Sequence, residues 1–255
     1  MKIITSKNNA FITETAKLKQ KKYRDEKNLF CVEGMKLLKE ALRSDFRVKY
    51  IIYTGDAPEI KAVYPQMIQV TREVYKKITD EDGFEGVMCI LEKPDAQSCI
   101  KYEKPVIILD NLQNPGNVGA IIRTAEAVCD ADIILTGGCA DIYSGKTQRA
   151  AMGAIFRQKI KISKNMKREL EILKEKGYNI FAAYLGEGAR SIESVKFEGR
   201  YAVIFGSEGS GLSAEIAEMC DERIIIPINA ESESLNVSVA AGIILWEMQK
   251  RAKRD

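Results

Sequence analysis

Short, continuous apolar runs alternate with amphipathic segments along most of the chain, and this alternation constrains the fold more than any other feature. The run VIILD at residues 106–110 is apolar up to its final aspartate, which is typical of a strand buried on both faces of a parallel sheet. A helical segment, NVGAIIRTAEAVCD, separates it from the next apolar run, ADIILTGG at residues 131–138. Strands that alternate with helices predict an α/β fold.

The alternation pauses at residues 94–104, whose sequence PDAQSCIKYEK is typical of a linker. We therefore predict a small N-terminal α/β domain at residues 1–93, a linker at 94–104 and a larger α/β domain at 105–255. Within the small domain, residues 11–24 are predicted to form one helix.

Two absences limit the chemistry that the chain can perform. It has no histidine, which removes the commonest general base and the commonest metal ligand. Its six cysteines are scattered, with no C-x-x-C spacing, so no zinc or thioredoxin-type motif is indicated. No apolar run approaches the roughly eighteen residues of a membrane span, and residues 1–15 do not have the pattern expected of a secretory signal. We expect a cytoplasmic protein with reduced thiols, no membrane segment and no metal.

The basic residues are unevenly distributed. The net charge is only +3, but the excess lies in the N-terminal part, where KLKQKKYR (Lys17–Arg24) has five basic residues and no acid. Such a run could contact nucleic-acid phosphates. It also fits an ordinary solvated helix face, and charge alone favours that second interpretation.

Three loops rich in glycine and amide residues follow apolar strands: NLQNPGNVG after VIILD, GSEGSG after YAVIF, and NAESESLNVS after ERIIIPI. In a parallel sheet these loops would lie at the carboxyl ends of strands, where α/β proteins bind ligands, and each precedes a helix with free N–H groups. They predict a pocket lined by backbone groups. A fourth stretch, ADIYSGKT at residues 140–147, ends like a Walker A loop but has alanine in place of its first glycine, so a nucleotide hydrolase is a weak alternative.

The stretches NPGNVGAIIRTAEA, IFGSEGSGLS and IPINAESESLNVSVAAGIILWE together resemble the three signature motifs of the SpoU/TrmH-type RNA 2′-O-ribose methyltransferases of the SPOUT superfamily. The resemblance covers residues 105–250. It implies a parallel α/β domain with a deep trefoil knot, preceded by a small RNA-binding α/β domain. It also implies a homodimer formed through the knotted domain.

The resemblance further implies which residues form the site. S-adenosylmethionine would contact Gly206, Ile226 and Leu235, and the catalytic set would be Asn117, Arg123, Glu208, Ser234 and Asn236. Without the motifs, each has a plain structural alternative: Asn117 and Ser234 could cap helices, Ile226 and Leu235 could be core residues, and Glu208 could be solvated.

Arg123 interrupts an otherwise apolar run, so its sequence position suggests a buried charge. Guanidinium groups bind phosphate in a bidentate manner and rarely release a proton. Our hypothesis is that Arg123 orients the RNA phosphate and the 2′-hydroxyl and stabilises the forming alkoxide. Arg123 itself, Glu208, phosphate and water all remain possible proton acceptors.

The expected reaction is 2′-O-methylation of structured RNA, with 23S ribosomal RNA favoured because a separate N-terminal domain is typical of the ribosomal enzymes of this family. Two alternatives remain open: methylation of transfer RNA, and a non-catalytic RNA-binding or ribosome-assembly protein with the same fold.

Overall fold

The computed structural model describes residues 3–56, 66–80, 86–94, 100–229 and 231–252. The chain divides into two compact units: residues 1–94 with 143–156, and residues 95–142 with 157–255. The sequence assigns all of 105–255 to the second domain, whereas the structure groups 143–156 with the first unit. The linker boundaries stay a prediction, because linker residues 95–99 lie outside the described residues.

The first unit contains a four-stranded mixed sheet with the order β1–β4–β2–β3. Strand β4 is antiparallel to both β1 and β2, and β3 is parallel to β2. The elements are α1 (Ala10–Lys17), α2 (Lys21–Lys27), β1 (Leu29–Glu33), α3 (Met35–Arg43), β2 (Val48–Tyr53), β3 (Met67–Gln69), α4 (Arg72–Ile78) and β4 (Val87–Glu92).

The basic run at residues 17–24 is divided between two helices, so the prediction of one helix over residues 11–24 is wrong. Arg24 explains the break, because its buried guanidinium Nη1 donates to the carbonyl oxygens of Leu18 (2.8 Å) and Lys19 (2.7 Å). These carbonyls lie between α1 and α2, where no helical partner satisfies them. At least one of the five basic residues therefore stabilises the unit from within.

The second unit is built on a seven-stranded sheet with the order β7–β6–β5–β10–β8–β11–β9, in which all neighbouring strands are parallel. The predicted parallel α/β domain is confirmed. In chain order, residues 100–252 form β5 (Val106–Leu109), α5 (Pro115–Val128), β6 (Asp132–Thr136), α6 (Gly145–Ala151), β7 (Ile160–Ser163), α7 (Met166–Glu175), β8 (Asn179–Ala183), β9 (Arg190–Ser191), β10 (Tyr201–Phe205), α8 (Ala214–Met219), β11 (Glu222–Ile225) and α9 (Val237–Ala252).

Helix α6 and the 3₁₀ turn Ala154–Phe156 belong to the first unit because aromatic residues fix this segment there. The ring of Tyr143 lies 4.6 Å from that of Phe30 on β1, and the ring of Phe156 lies 5.2 Å from that of Phe46. Tyr143 and Phe156 are both buried, so removing them from the unit would expose large apolar surfaces.

The central strands of the second sheet are buried on both faces. Alternate residues of β5, β8 and β10 pack against apolar residues of α7 and α8. The residues between them, Ile107, Leu109, Phe181, Val203 and Phe205, point the other way and are also buried. Helices α5 and α9 pack against each other. Within the described residues, no helix is both long and apolar enough to cross a bilayer.

Candidate functional site

Helix α5 follows the first glycine- and amide-rich loop, and Asn114 caps its amino end. Asn114 Oδ1 accepts hydrogen bonds from the backbone N–H groups of Gly116 (2.8 Å) and Asn117 (3.4 Å). Pro115 occupies the first helical position, where no N–H donor is needed. Asn114 is therefore the cap, the alternative of Asn117 as a cap is wrong, and the side chain of Asn117 is left for other contacts.

Asn117 is buried, with 9% of its surface exposed, and its side chain joins two distant parts of the chain. Its Nδ2 donates to Glu208 Oε1 at 2.9 Å, and its Oδ1 accepts from Asn236 Nδ2 at 3.2 Å. Asn236 directly precedes α9, and its Oδ1 accepts from the backbone N–H of Ser238 at 2.9 Å. One amide therefore links the loop after β10 to the first turns of α5 and α9.

Glu208 is exposed at one end of this network, and its pKa is lowered from the ordinary value. Desolvation acts to raise the pKa, but hydrogen bonds from Asn117 and from the backbone N–H groups of Glu208, Asn114 and Gln113 outweigh it. The carboxylate is thus held ionised and is a weakened proton acceptor. Its contacts suit a group that fixes the position of Asn117 and of its own loop.

The loop after β10 closes on itself, and this closure requires glycine at position 206. Ser207 and Gly211 exchange two backbone hydrogen bonds of 3.1 and 3.0 Å. A Cβ atom on Gly206 would lie 2.3 Å from the carbonyl carbon of Gly211 and 2.4 Å from the amide nitrogen of Leu212. Close approach of the loop's own backbone therefore accounts for the residue, whether or not a ligand also approaches it.

A cavity of about 530 Å³ opens beside this loop, at the carboxyl ends of β8, β10 and β11. Ile226 and Leu235, both half-buried, contribute apolar surface, and the exposed Ser234 lies at its edge. Six of the eight predicted site residues line the cavity: Gly206, Glu208, Ile226, Ser234, Leu235 and Asn236. Asn117 is hydrogen-bonded to two of them.

The loop after β8 was not among the predicted site loops, yet it forms another wall of the cavity through Tyr184 and Leu185. The Arg223 guanidinium lies over the Tyr184 ring, 5.2 Å from its centroid, and holds this wall against β11. The available signal was the apolar run YNIFAA followed by Gly186 and Gly188, which repeats the strand-and-glycine pattern of the other three loops.

Arg123 is the predicted site residue that stands apart. Its side chain is exposed, so the suggestion of a buried charge is wrong, and it does not line the cavity. It lies six residues beyond Asn117 on α5, which turns the two side chains onto different faces and separates them by about 9 Å along the helix axis. No other group in the described part of the chain forms a hydrogen bond or ion pair with its guanidinium.

The SGKT sequence begins α6 without forming a phosphate-binding loop. Ser144 caps the helix by accepting from the Thr147 N–H group at 3.3 Å, and the two hydroxyls lie 2.9 Å apart. Thr147 is fully buried, so its hydroxyl is unavailable to the Mg²⁺ ion of a nucleotide. The segment also does not directly follow a strand, because β6 ends at Thr136. This geometry argues against a nucleotide hydrolase.

Comparisons with known proteins agree with the two-part organisation. Residues 104–246 match the model of the SpoU rRNA Methylase family, and residues 9–89 match that of the MRM3-like substrate binding domain. The chain is 31% identical over 251 residues to the 23S rRNA (guanosine(2553)-2′-O)-methyltransferase RlmP of Bacillus subtilis, covering 98% of this chain and 100% of that protein.

Two solved structures are similar over nearly their whole length. An AdoMet-bound rRNA methyltransferase from Sinorhizobium meliloti superposes with a TM-score of 0.89 at 30% identity, covering 98% of this chain and 97% of that one. A putative RNA methyltransferase of the TrmH family from Porphyromonas gingivalis gives 0.84 at 29% identity, with coverages of 94% and 97%.

Proposed function

Because this chain belongs to the SpoU rRNA Methylase family, we propose that it transfers a methyl group from S-adenosylmethionine to a ribose 2′-hydroxyl of structured RNA. The Bacillus subtilis relative, which matches over nearly the full length of both chains, is named for 2′-O-methylation of 23S rRNA. We therefore favour 23S rRNA as the substrate and keep transfer RNA as the alternative.

The main structural support for this proposal is the cavity beside the loop after β10. Its volume of about 530 Å³ lies within the range of roughly 300–1,000 Å³ that is usual for small-molecule sites. Ile226 and Leu235 offer apolar surface to a flat base, and the backbone near Gly206 offers polar groups, so these residues would hold S-adenosylmethionine. When bound, that molecule supplies a methyl group on a positively charged sulfur.

The polar residues then have separate tasks. The exposed guanidinium of Arg123 binds the RNA phosphate and stabilises the charge that develops on the ribose oxygen. Asn117 and Asn236 hold the amino ends of α5 and α9 at a fixed distance from the loop after β10, and Ser234 offers a hydroxyl at the cavity edge. Because its lowered pKa makes Glu208 a weak base, the hydroxyl proton leaves to water or phosphate instead.

Strand order supports a knotted second unit. Strand β10 lies between the earlier strands β5 and β8, and β11 lies between β8 and β9. Late segments of the chain are thus inserted between earlier ones, as threading through a loop requires. We propose that this threading forms the trefoil knot, which gathers the loops after β10 and β11 around one cavity.

An exposed apolar stripe supports a homodimer. Val239, Ile243 and Trp246 are exposed on α9 at spacings of four and three residues, which places them on one face of the helix. Large exposed apolar patches mark interaction sites, so we propose that this face packs against a second copy of the chain.

The N-terminal unit would dock the RNA, and a ribosomal RNA substrate would place the reaction in the cytoplasm.

Methyl transfer from isotopically labelled S-adenosylmethionine tests the proposed function. Total ribosomal RNA and total transfer RNA from a strain lacking the gene serve as acceptors, and calorimetry measures S-adenosylmethionine binding separately. Label in ribosomal RNA as 2′-O-methylnucleoside is expected. Label in transfer RNA alone would favour the alternative substrate, and absence of S-adenosylmethionine binding would favour the non-catalytic RNA-binding alternative.

A further inference from the structure

A second concave surface lies on the carboxyl edge of the larger sheet, over β5, β6 and β7. It is open, encloses about 600 Å³, and shares no residue with the cavity over β8, β10 and β11. Its polar surface comes from the ends of the three strands, and we call it the β5–β7 surface. It is lined by Asp110, Asn111, Thr136, Gly137, Gly138, Lys164 and Met166.

The β5–β7 surface adjoins the candidate site. Strand β5 pairs directly with β10, and neighbouring strands are about 4.8 Å apart. The loop after β5 contributes Asp110 and Asn111 to the surface. Three residues further along the same loop, the backbone N–H groups of Gln113 and Asn114 hydrogen-bond to the carboxylate of Glu208. An RNA strand whose reacting ribose lies at the Glu208 loop would therefore place an adjoining nucleotide over β5 and its outer neighbours.

Side chains on the surface are held in defined positions. The Thr136 hydroxyl hydrogen-bonds to Asp110 and accepts from the backbone N–H of Asn111 at 2.8 Å. Asn111 has a left-handed backbone with φ of 57°, which asparagine tolerates better than most residues. A Cβ atom on Gly138 would lie 2.2 Å from Asn111 Oδ1, so glycine is needed for the Asn111 side chain to lie where it does.

Lys164 supplies an available positive charge. Its side chain is exposed, and no carboxylate in the described ranges forms an ion pair with it. The next two basic residues differ, because Lys167 pairs with Glu215 and Arg168 pairs with Glu171 at 3.0 Å. Lys164 is thus a cation at an open concavity, with no ion-pair partner among the residues that the structure describes.

A nucleotide matches this combination of groups. The ammonium group of Lys164 suits a phosphate, while Asp110 and Asn111 can accept hydrogen bonds from the amino group of a base. The exposed backbone of Gly137 and Gly138 leaves room for the flat face of that base. Adenine, cytosine and guanine each present an exocyclic amino group to a carboxylate. Uracil has no amino group, and its single N3–H donor lies between two carbonyl oxygens that an ionised carboxylate repels.

We propose that the β5–β7 surface is a subsite for the RNA nucleotide that adjoins the methylated ribose, with Lys164 binding its phosphate and Asp110 selecting an amino-bearing base over uracil. This subsite rests on the proposed function, because it needs an RNA strand at the neighbouring loop. It adds a specificity element that acts on the sequence beside the methylated position.

Steady-state methylation of unmodified 23S rRNA transcripts tests the subsite once the methylated nucleotide is mapped. Transcripts with each base at the two flanking positions are compared for the wild-type enzyme, Lys164→Gln and Asp110→Asn. Lys167→Gln and Asp130→Asn are matched controls, since Lys167 and Asp130 are exposed and lie outside the surface. Thermal unfolding and S-adenosylmethionine binding are measured on every variant.

Lys164→Gln should raise the KM for RNA roughly threefold to tenfold with kcat unchanged. It should also reduce the steepness of the plot of log RNA affinity against log salt concentration by about one. The wild-type enzyme should disfavour uridine at one flanking position by roughly fivefold or more, and Asp110→Asn should abolish that preference. Changes no larger than those of the controls would overturn the subsite while leaving methylation by the wild type intact. A wild type that methylates no RNA would instead overturn the proposed function and the subsite together.

Discussion

The side-chain amide of Asn117 donates a 2.9 Å hydrogen bond to the carboxylate of Glu208, across 91 positions of sequence. The same amide accepts from Asn236, 119 positions away from it. These two bonds hold the first turn of α5, the loop after β10 and the start of α9 in one arrangement. An in-line methyl transfer requires the reacting groups to be held in a fixed arrangement. Because the chain has no histidine to act as a base, this positioning is the main contribution we assign to these residues.

Asn117→Ala should remove both bonds and lower kcat about 100-fold, because a displaced loop misaligns the reacting groups. Since Asn117 is buried, the free energy of unfolding should also fall by about 1–3 kcal/mol. Urea unfolding and single-turnover kinetics measure the two effects. Asn165→Ala is the control, because Asn165 caps α7 through Arg168 N–H and should cost about 1 kcal/mol of stability without changing kcat. Normal kcat in Asn117→Ala would contradict the assigned role.

Replacing Glu208 should have an effect on stability that depends on pH. The pKa of Glu208 is lowered in the folded protein, so its ionised form stabilises the fold at pH values above its ordinary pKa, and this stabilisation is lost as pH falls through the lowered folded pKa. The difference in unfolding free energy between wild type and Glu208→Gln should therefore shrink between pH 7 and pH 3. Glu218→Gln, an exposed residue of α8, is the matched control. A difference that is constant with pH would count against the Asn117–Glu208 hydrogen bond.

Two glycines of the same loop should respond very differently to alanine. Gly206→Ala places a Cβ atom 2.3 Å from backbone atoms of the loop, whereas a Cβ atom on Gly209 meets nothing within 4 Å. Gly206→Ala should lower the affinity for S-adenosylmethionine by more than about tenfold, since the loop must shift to relieve the clash. Gly209→Ala should bind within about twofold of wild type. Calorimetry measures the S-adenosylmethionine affinity of both variants. Equal losses of affinity in the two would show that loop closure is not the requirement at position 206.

Arg123→Lys should lower kcat by at least about tenfold, because an ammonium group cannot reproduce the bidentate contact of guanidinium with phosphate. The melting temperature and S-adenosylmethionine affinity should be unchanged, since the side chain is exposed and lies outside the cavity. Arg168→Lys on α7 is a control of the same chemistry at an exposed surface. Near-normal turnover by Arg123→Lys would rule out the proposed role of this arginine.

Trp246→Glu should convert a dimer to a monomer, because it places a charge in the apolar stripe of α9, where Trp246 is 60% exposed in the single chain. Ile162→Glu on β7 is the control, since Ile162 is 40% exposed and lies outside the stripe. Sedimentation equilibrium measures the mass of each protein. If the wild type sediments as a monomer, or if Trp246→Glu remains a dimer, the proposed interface is incorrect.

The larger sheet was predictable because its central strands are buried on both faces and therefore apolar without interruption, as in Val106–Leu109 and Tyr201–Phe205. Strand β9 was missed because two residues, Arg190 and Ser191, carry no periodicity. The positions of the three motif loops followed from the order of strands and glycines. The wall formed by Tyr184 and Leu185 was not predicted, because its strand-and-glycine pattern matches none of the three family motifs.

Features that depend on distant packing could not be read from local patterns. Arg24 belongs to a basic run, but its two bonds to carbonyl oxygens make it a buried structural residue. Tyr143 lies beyond the linker in sequence, and its contact with Phe30 assigns its segment to the first unit. Arg123 interrupts an apolar run, yet helix geometry carries it to an exposed face.

Mapping of 2′-O-methylated nucleotides by mass spectrometry tests the central claim most directly. Ribosomal and transfer RNA are taken from a strain lacking the gene, and from the same strain carrying the wild-type gene or Arg123→Lys. We expect one 2′-O-methyl group in 23S rRNA that is absent from the deletion strain, restored by the wild-type gene and not restored by Arg123→Lys. Identical methylation maps in all strains would contradict the account.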